Sequence, residues 1–275
     1  MRCTGRAELS GFGYAGYVKR NGASPLTTKC AVFINLSNIG QEPPRGRHIW
    51  AILRIFDRAE YRDDFLAGRI RFNTLGRYRG LEGLGDDARG DRWEGISAFL
   101  QSDGMKLSFD GHEVGGLVGP IVHHPPGVDG WNVCSFVALQ WPRDEPFNAL
   151  DAPEVLEQIQ LGPDLRKFGE YVALLADGEA FLGAVRRAAE ERGLPIRARL
   201  VEYFDGQEMS GSVPHSLFGF VKRAVPYGCQ REFRIVVPRD NPGEEVLWLD
   251  VSSGAPWGYA TTIDEFNAQV RLRER

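Results

Sequence analysis

The sequence predicts an α+β fold, a curved and mostly antiparallel sheet flanked by helices. Three observations predict it. Short β-type runs separated by turn residues crowd residues 96–124. The stretch WNVCSFVALQW at 131–141 is a near-continuous apolar run of the kind that forms a central strand covered on both faces. Two further stretches, 48–67 and 178–192, carry apolar residues at helical spacing. At 275 residues the chain can hold one large or two small domains, and a 43% hydrophobic, 25% charged composition supplies a core without disulfides or metals. No apolar run approaches the roughly 18 residues of a membrane span. The expectation is a cytoplasmic protein without a membrane partner.

Residues 1–45 hold Gly11, Gly13, Gly16, Gly22, Pro25, Pro43 and Pro44 around one apolar patch, Ala31 to Leu36. They read either as a poorly ordered extension or as a short strand at 30–36 that joins the sheet; residues 46–275 read as a single α+β domain. From Arg47 to Gly68, Ile49, Ile52, Leu53, Phe56, Tyr61, Phe65 and Leu66 recur at helical spacing, with a break near Asp57 and Gly68 as the stop. One or two helices are expected. Ile70 and Phe72 then alternate with Arg69, Arg71 and Asn73, the pattern of a half-exposed strand.

The segment 77–95, RYRGLEGLGDDARGDRWEG, mixes acids and arginines among glycines and reads as a surface loop, either merely solvated or closing over a binding site. Four strands are expected near 96–100, 105–109, 113–114 and 118–122, with Asp110-Gly111 as the hairpin turn between the second and third. His123 and His124 would point to opposite faces of a strand and so would not share an ion. Beyond 131–141 come a short helix at 153–161 and a strand at 171–175. A helix then starts at a cap on Asp177 and stops at Gly193; a strand at 200–204, a polar loop at 205–216, a strand at 246–251 and a closing helix at 263–272 follow.

Function points to the stretch 220–237, FVKRAVPYGCQREFRIVV. On a strand, residues two apart share a face, so Gln230, Glu232 and Arg234 converge, near Lys222 and Arg223 and behind the turn Pro226-Tyr227-Gly228. A solvated strand face with a Glu232–Arg234 or Glu232–Arg231 pair would carry the same residues. A net charge of −4 disfavours a whole-surface nucleic-acid binder but leaves room for a local basic patch such as Arg69, Arg71, Arg77 and Arg79. Cys3, Cys30, Cys134 and Cys229 show no metal-ligand spacing and read as reduced thiols. Neither Ser135, which lacks a G-x-S-x-G elbow, nor Cys134 marks a hydrolase.

Lys222, Tyr227, Gln230, Glu232, Phe233 and Arg234 together resemble a K…Y..QxEFR pattern in an uncharacterised bacterial family that pairs it with an upstream FLxGxIRF segment, here at 65–72. FGEYVALL, DGEAFLGAVRRAA and LVEYF resemble the middle of the same family. The QxE ending is also similar to the loop of ADP-ribosyltransferase toxins, where a Gln or Glu precedes a strand bearing the catalytic Glu. That resemblance implies an ADP-ribosyltransferase-like fold and a toxin or phage-defence effector using NAD as co-substrate. The acceptor would be a protein or nucleic acid, and an antitoxin or defence-system partner is implied with it. It assigns Glu232 to the carboxylate that stabilises an oxocarbenium-like ribose, Gln230 to the acceptor-orienting amide and Ser135 to the pocket hydroxyl. Arg71, with Arg69 and Arg77 as competitors, would be the cation on phosphate, and Tyr227 would join the cofactor site. Val133-Cys134-Ser135 departs from the Ser-Thr-Ser usual in that class.

Two other classes remain open. One is a metal-dependent nuclease using Asp86, Asp91, Glu94 and Glu232 with Lys222, although the acids lack the spacing of a calcium loop and no metal is expected. The other is a non-catalytic sensor or partner-binding domain that uses the 77–95 loop.

Overall fold

The structure is a computed structural model that describes residues 33–35, 49–82, 84, 88–103, 105–114, 118–140, 153, 156, 159–175, 177–239, 245–251 and 257–273. In chain order the elements are β1 (Phe33–Asn35), β2 (Ile49–Phe56), α1 (Ala59–Leu66), β3 (Arg69–Thr74), α2 (Leu75–Leu81), β4 (Ala98–Leu100), β5 (Leu107–Phe109), β6 (His112–Val114), β7 (Ile121–His123) and β8 (Asn132–Gln140). There follow β9 (Tyr171–Leu175), α3 (Gly178–Glu191), β10 (Arg197–Leu200), β11 (Glu202–Phe204), β12 (Gly211–Ser212), β13 (Val221–Arg223), α4 (Ala224–Tyr227), β14 (Glu232–Val237), β15 (Leu247–Asp250), β16 (Gly258–Thr262), α5 (Ile263–Gln269) and β17 (Arg271–Arg273). The fold is mixed α and β, with a mostly antiparallel open sheet and several helices.

The chain divides into two compact units, residues 1–66, 138–183 and 254–275 in the first and 67–137 and 184–253 in the second, with boundaries inside β8 and α3. In the first unit β2, β9 and β16 lie antiparallel, Leu53 opposite Leu174 and Ala173 opposite Ala260. Its core is aromatic. Phe65 stands between Phe56 and Phe181 at 5.6 and 5.7 Å between ring centroids, and Phe181 meets Trp257 at 5.6 Å. The helix α5 starts on a capping box, Thr262 accepting from the Glu265 amide while the Glu265 carboxylate accepts from the Thr262 amide. The short β1 pairs in parallel with β17 and not with the larger sheet.

In the second unit β14 is an interior strand, antiparallel to β10 on one side and to β8 on the other. β3 meets β8 at Asn73↔Val133 and Thr74↔Asn132, and β15 runs antiparallel along β3. Small sheets, β12–β4–β7 and β11–β13, and the hairpin β5–β6 complete it. An apolar cluster holding Leu75, Phe99, Trp131, Val133, Phe220 and Val236 is its core.

Most expected elements are present, and four segments differ. The closing helix expected at 263–272 ends at Gln269, and residues 271–273 form β17 beside β1. Residues 49–56 are a strand: Ile49, Trp50, Ile52, Ile55 and Phe56 are β-branched or aromatic, and the partner strand β9 settles a periodicity that suits both structures. The helix predicted from Arg47 therefore starts only at Ala59, past the break at Asp57. The segment 77–95 opens inside a helix, α2, whose cap Thr74 accepts from the Arg77 amide. The strand expected at 200–204 is interrupted at buried Val201, leaving β10 and β11. The turn at Asp110-Gly111 has φ of 49° and 81°, the left-handed pair that joins β5 to β6. Asp177 caps α3 through the Ala180 amide at 2.8 Å, and Gly193 past its end has φ 64°.

Candidate functional site

Lys222 reaches the site from β13, which lies parallel to β11 with Lys222 opposite Tyr203. The chain then turns through α4 and residues 228–230 and enters β14 after Arg231, whose φ of 46° is in the left-handed region. Gln230, Glu232 and Arg234 do converge, but Gln230 stands in a turn and not on the strand, and all three face inward. The Lys222 ammonium donates to Gln230 Oε1 at 2.9 Å and to Glu232 Oε2 at 3.4 Å. It also sits 3.6 Å from Glu94 Oε1 and 4.5 Å from the centre of the Tyr227 ring.

Arg234 is the hub. Its guanidinium donates from Nε to Glu232 Oε1 (2.7 Å) and from Nη2 to Glu232 Oε2 (3.0 Å). It donates to Glu94 through Nη1 (2.6 Å) and Nη2 (2.7 Å), and from Nη1 to the Gly219 carbonyl (2.9 Å). Every N–H of the fork is thus used. Arg234, Glu94, Lys222 and Glu232 are exposed by only 1%, 0%, 2% and 6%, so two cations and two anions form a buried quartet that is neutral as a whole. Burial alone would raise the Glu232 pKa, but the Arg234 and Lys222 charges, with hydrogen bonds from Arg234 and the Ser135 hydroxyl, hold it down at about 2. Burial opposes the charge on Arg234 too, and Glu232 and Glu94 override it and raise its pKa. The Tyr203 hydroxyl accepts from the Glu232 amide at 2.9 Å, and burial followed by the Glu232 charge pushes its pKa up.

A second layer pins Glu82, Ala88, Gly90 and Asp91. Arg223 Nε donates to Asp91 Oδ1 at 2.8 Å and its Nη2 to Glu82 Oε2 at 2.5 Å; Asp91 also accepts from the Trp93 amide at 3.0 Å. Gln230 Nε2 donates to the Ala88 carbonyl at 2.8 Å, and the Tyr227 hydroxyl donates to the Gly90 carbonyl. Burial and the Asp91 charge raise the Tyr227 pKa to about 12. A Cβ on Gly90 would lie 2.3 Å from the Glu82 amide nitrogen, so the chain closes here only around a glycine. The segment expected to be a solvated loop therefore carries two of the most buried acids of the unit, Asp91 and Glu94. It is held down because each acid meets a cation from β13 or β14.

The expected alternative of a solvated Glu232–Arg234 pair is half met, since the pair exists but is buried. The pairing register puts Arg69, Arg71 and Asn73 of β3, Ser135 of β8, and Glu232 and Arg234 of β14 on one face of the sheet. Arg69 is exposed, and Arg71, Asn73 and Ser135 are half-buried. The guanidiniums of Arg69 and Arg71 lie 5.3 and 5.9 Å from the Trp248 ring. Arg77 is exposed on α2.

Of the acids proposed for a metal, Asp86 lies outside the described residues. Asp91, Glu94 and Glu232 are each ion-paired, and among the described residues no group of three or more His, Cys, Asp or Glu is placed to hold an ion. His123 is exposed with Nδ1 2.7 Å from Ser97 Oγ, and His124 is half-buried, its pKa lowered by burial and by Arg79. Cys134 is a buried thiol and Cys229 an exposed one.

The reading from sequence missed Tyr203; it placed Arg223 beside the group and joined Asp91 and Glu94 to Glu232 and Lys222 only as metal ligands, not as the ion-pair partners of Arg223 and Arg234. The available signal was Trp93, a large aromatic set between Asp91 and Glu94, which a merely solvated loop has no use for. No protein-family model, curated protein or solved structure matches the chain.

Proposed function

We propose that the chain is an ADP-ribosyltransferase-like toxin or phage-defence effector that moves ADP-ribose from NAD to an intracellular protein or nucleic acid in the cytoplasm. The observation that carries the reading is the Glu232 carboxylate, kept ionised and hydrogen-bonded by Ser135, two residues from the Gln230 amide. As nicotinamide leaves, the ribose develops positive charge, and a fixed ionised carboxylate stabilises it. Arg234 and Lys222 would hold Glu232 in one orientation, and Gln230, released from Ala88, would orient the acceptor. Arg71, on the same sheet face as Ser135, would take the phosphates, with Arg69 beside it.

A second reading has an observation of its own. Glu232 and Arg234 bond to each other, Gln230 to Lys222 and the Ala88 carbonyl, and Arg234 to Glu94, as suits a rigid sensor or partner-binding domain. The test is incubation of cell extract with labelled NAD and either wild-type protein or Glu232→Gln. Transfer predicts labelled product with wild type and at least about a hundredfold less with the variant, both folded by circular dichroism. No label from either protein, or equal label from both, removes the enzymatic reading. Retained cellular phenotype in Glu232→Gln would select the sensor.

A further inference from the structure

A second feature of the same unit is open to solvent. β3 and β15 pair with Trp248 opposite Arg71 and Asp250 opposite Arg69, so these four side chains share the face that carries Asn73, while Ile70, Phe72, Leu247 and Leu249 are buried on the other. Trp248 is 41% exposed, a large apolar surface to leave in water on an otherwise polar face. Its ring lies within 5.3 and 5.9 Å of the Arg69 and Arg71 guanidiniums, and Arg192 anchors its backbone by donating to the Trp248 carbonyl at 2.5 Å. The strand is thereby held with the indole still partly exposed between the two guanidiniums and solvent.

We propose that the Trp248–Arg69–Arg71 surface binds a nucleoside diphosphate, with the base stacked on the indole and the phosphates on the two guanidiniums. Charge and size favour this occupant. A ring flanked by two cations matches one base followed by a diphosphate. Asp250, beside Arg69 on the exposed face, supplies an acceptor for ribose hydroxyls and repels a continuous phosphate backbone, in keeping with a chain of net charge −4. The surface shares Arg69 and Arg71 with the transfer reading but rests on Trp248, so ADP binding without any transfer supports it fully.

The experiment is titration calorimetry of the full chain with ADP and, separately, with a twelve-nucleotide single-stranded DNA. ADP should bind with a one-to-one stoichiometry. Trp248→Ala should weaken it by about tenfold or more and Arg71→Gln by a similar factor. Trp248→Phe, which keeps an aromatic face, should stay within about fivefold and guards against loss of fold in the alanine variant. Lys106→Gln, which removes an exposed cation just before β5, should leave ADP binding unchanged, so that loss of any one positive charge does not account for the effect of Arg71→Gln. No ADP binding to wild type, equal affinity in Trp248→Ala, or binding of the DNA alone would overturn the proposal.

Discussion

The two units bury their surfaces in different ways. In the first, the rings run from Phe56 through Phe65 and Phe181 to Trp257, and Leu53, Val172, Ile263 and Phe266 are buried as well, so apolar burial does the work. In the second, an apolar cluster of comparable kind lies beside Arg234, Glu94, Lys222 and Glu232, four charges taken out of water together. Apolar packing stabilises directly, at about 25 cal/mol per Å² removed from water. A buried ion network roughly breaks even against hydrophobic replacements, so stability alone is a poor reason for it. The network instead does something that an oily core cannot. It ties Glu82, Asp91 and Glu94 to two particular strands, β13 and β14, and it keeps a carboxylate ionised in a dry place. The first unit reads as scaffold and the second as the site.

The sharpest way to break that contrast is Glu94→Gln. It leaves the Arg234 guanidinium buried with one of its two carboxylate partners neutral, and a loss of about 3–5 kcal/mol is expected in urea unfolding. A loss under about 1 kcal/mol would mean that the quartet opens to water in solution. Acid should expose the same difference. The Glu232 pKa is depressed in the folded protein, so the stability it contributes is fully present above the ordinary value of 4.5 and is lost as pH falls towards about 2. Chemical-shift titration with pH should show residues 88–94 and 230–234 changing over that range, before the ring protons of Phe65 and Phe181 do. Simultaneous change in both units would remove the contrast. The smallest effect belongs to the scaffold: Asp177→Ala deletes the α3 cap and should lower stability by about 1 kcal/mol, with no response in the labelled-NAD assay.

Much of the second unit could be read along the chain. The buried strand β8, the hairpin turn at Asp110-Gly111, the alternation of β3 and the capped helix α3 each follow from local pattern, because turn chemistry, two-residue alternation and 3.6-residue periodicity are properties of short windows. Residues 49–56 were harder, since Ile49, Ile52, Leu53 and Phe56 satisfy a helical spacing and a strand alike until β9 pairs with them. The convergence of Gln230, Glu232 and Arg234 was legible from their spacing, although a turn rather than strand alternation delivers Gln230.

By itself the sequence determined the class of fold, the places where the chain turns and the stretch 220–237 in which polar groups would meet. Only the tertiary structure decided that Glu94 and Asp91, some 130 residues earlier, supply the countercharges, and that the meeting place is buried. The physical reason is that propensity and periodicity act over a few residues, whereas a charge accepts burial only when an opposite charge arrives, and which one arrives depends on strands brought together from distant parts of the chain.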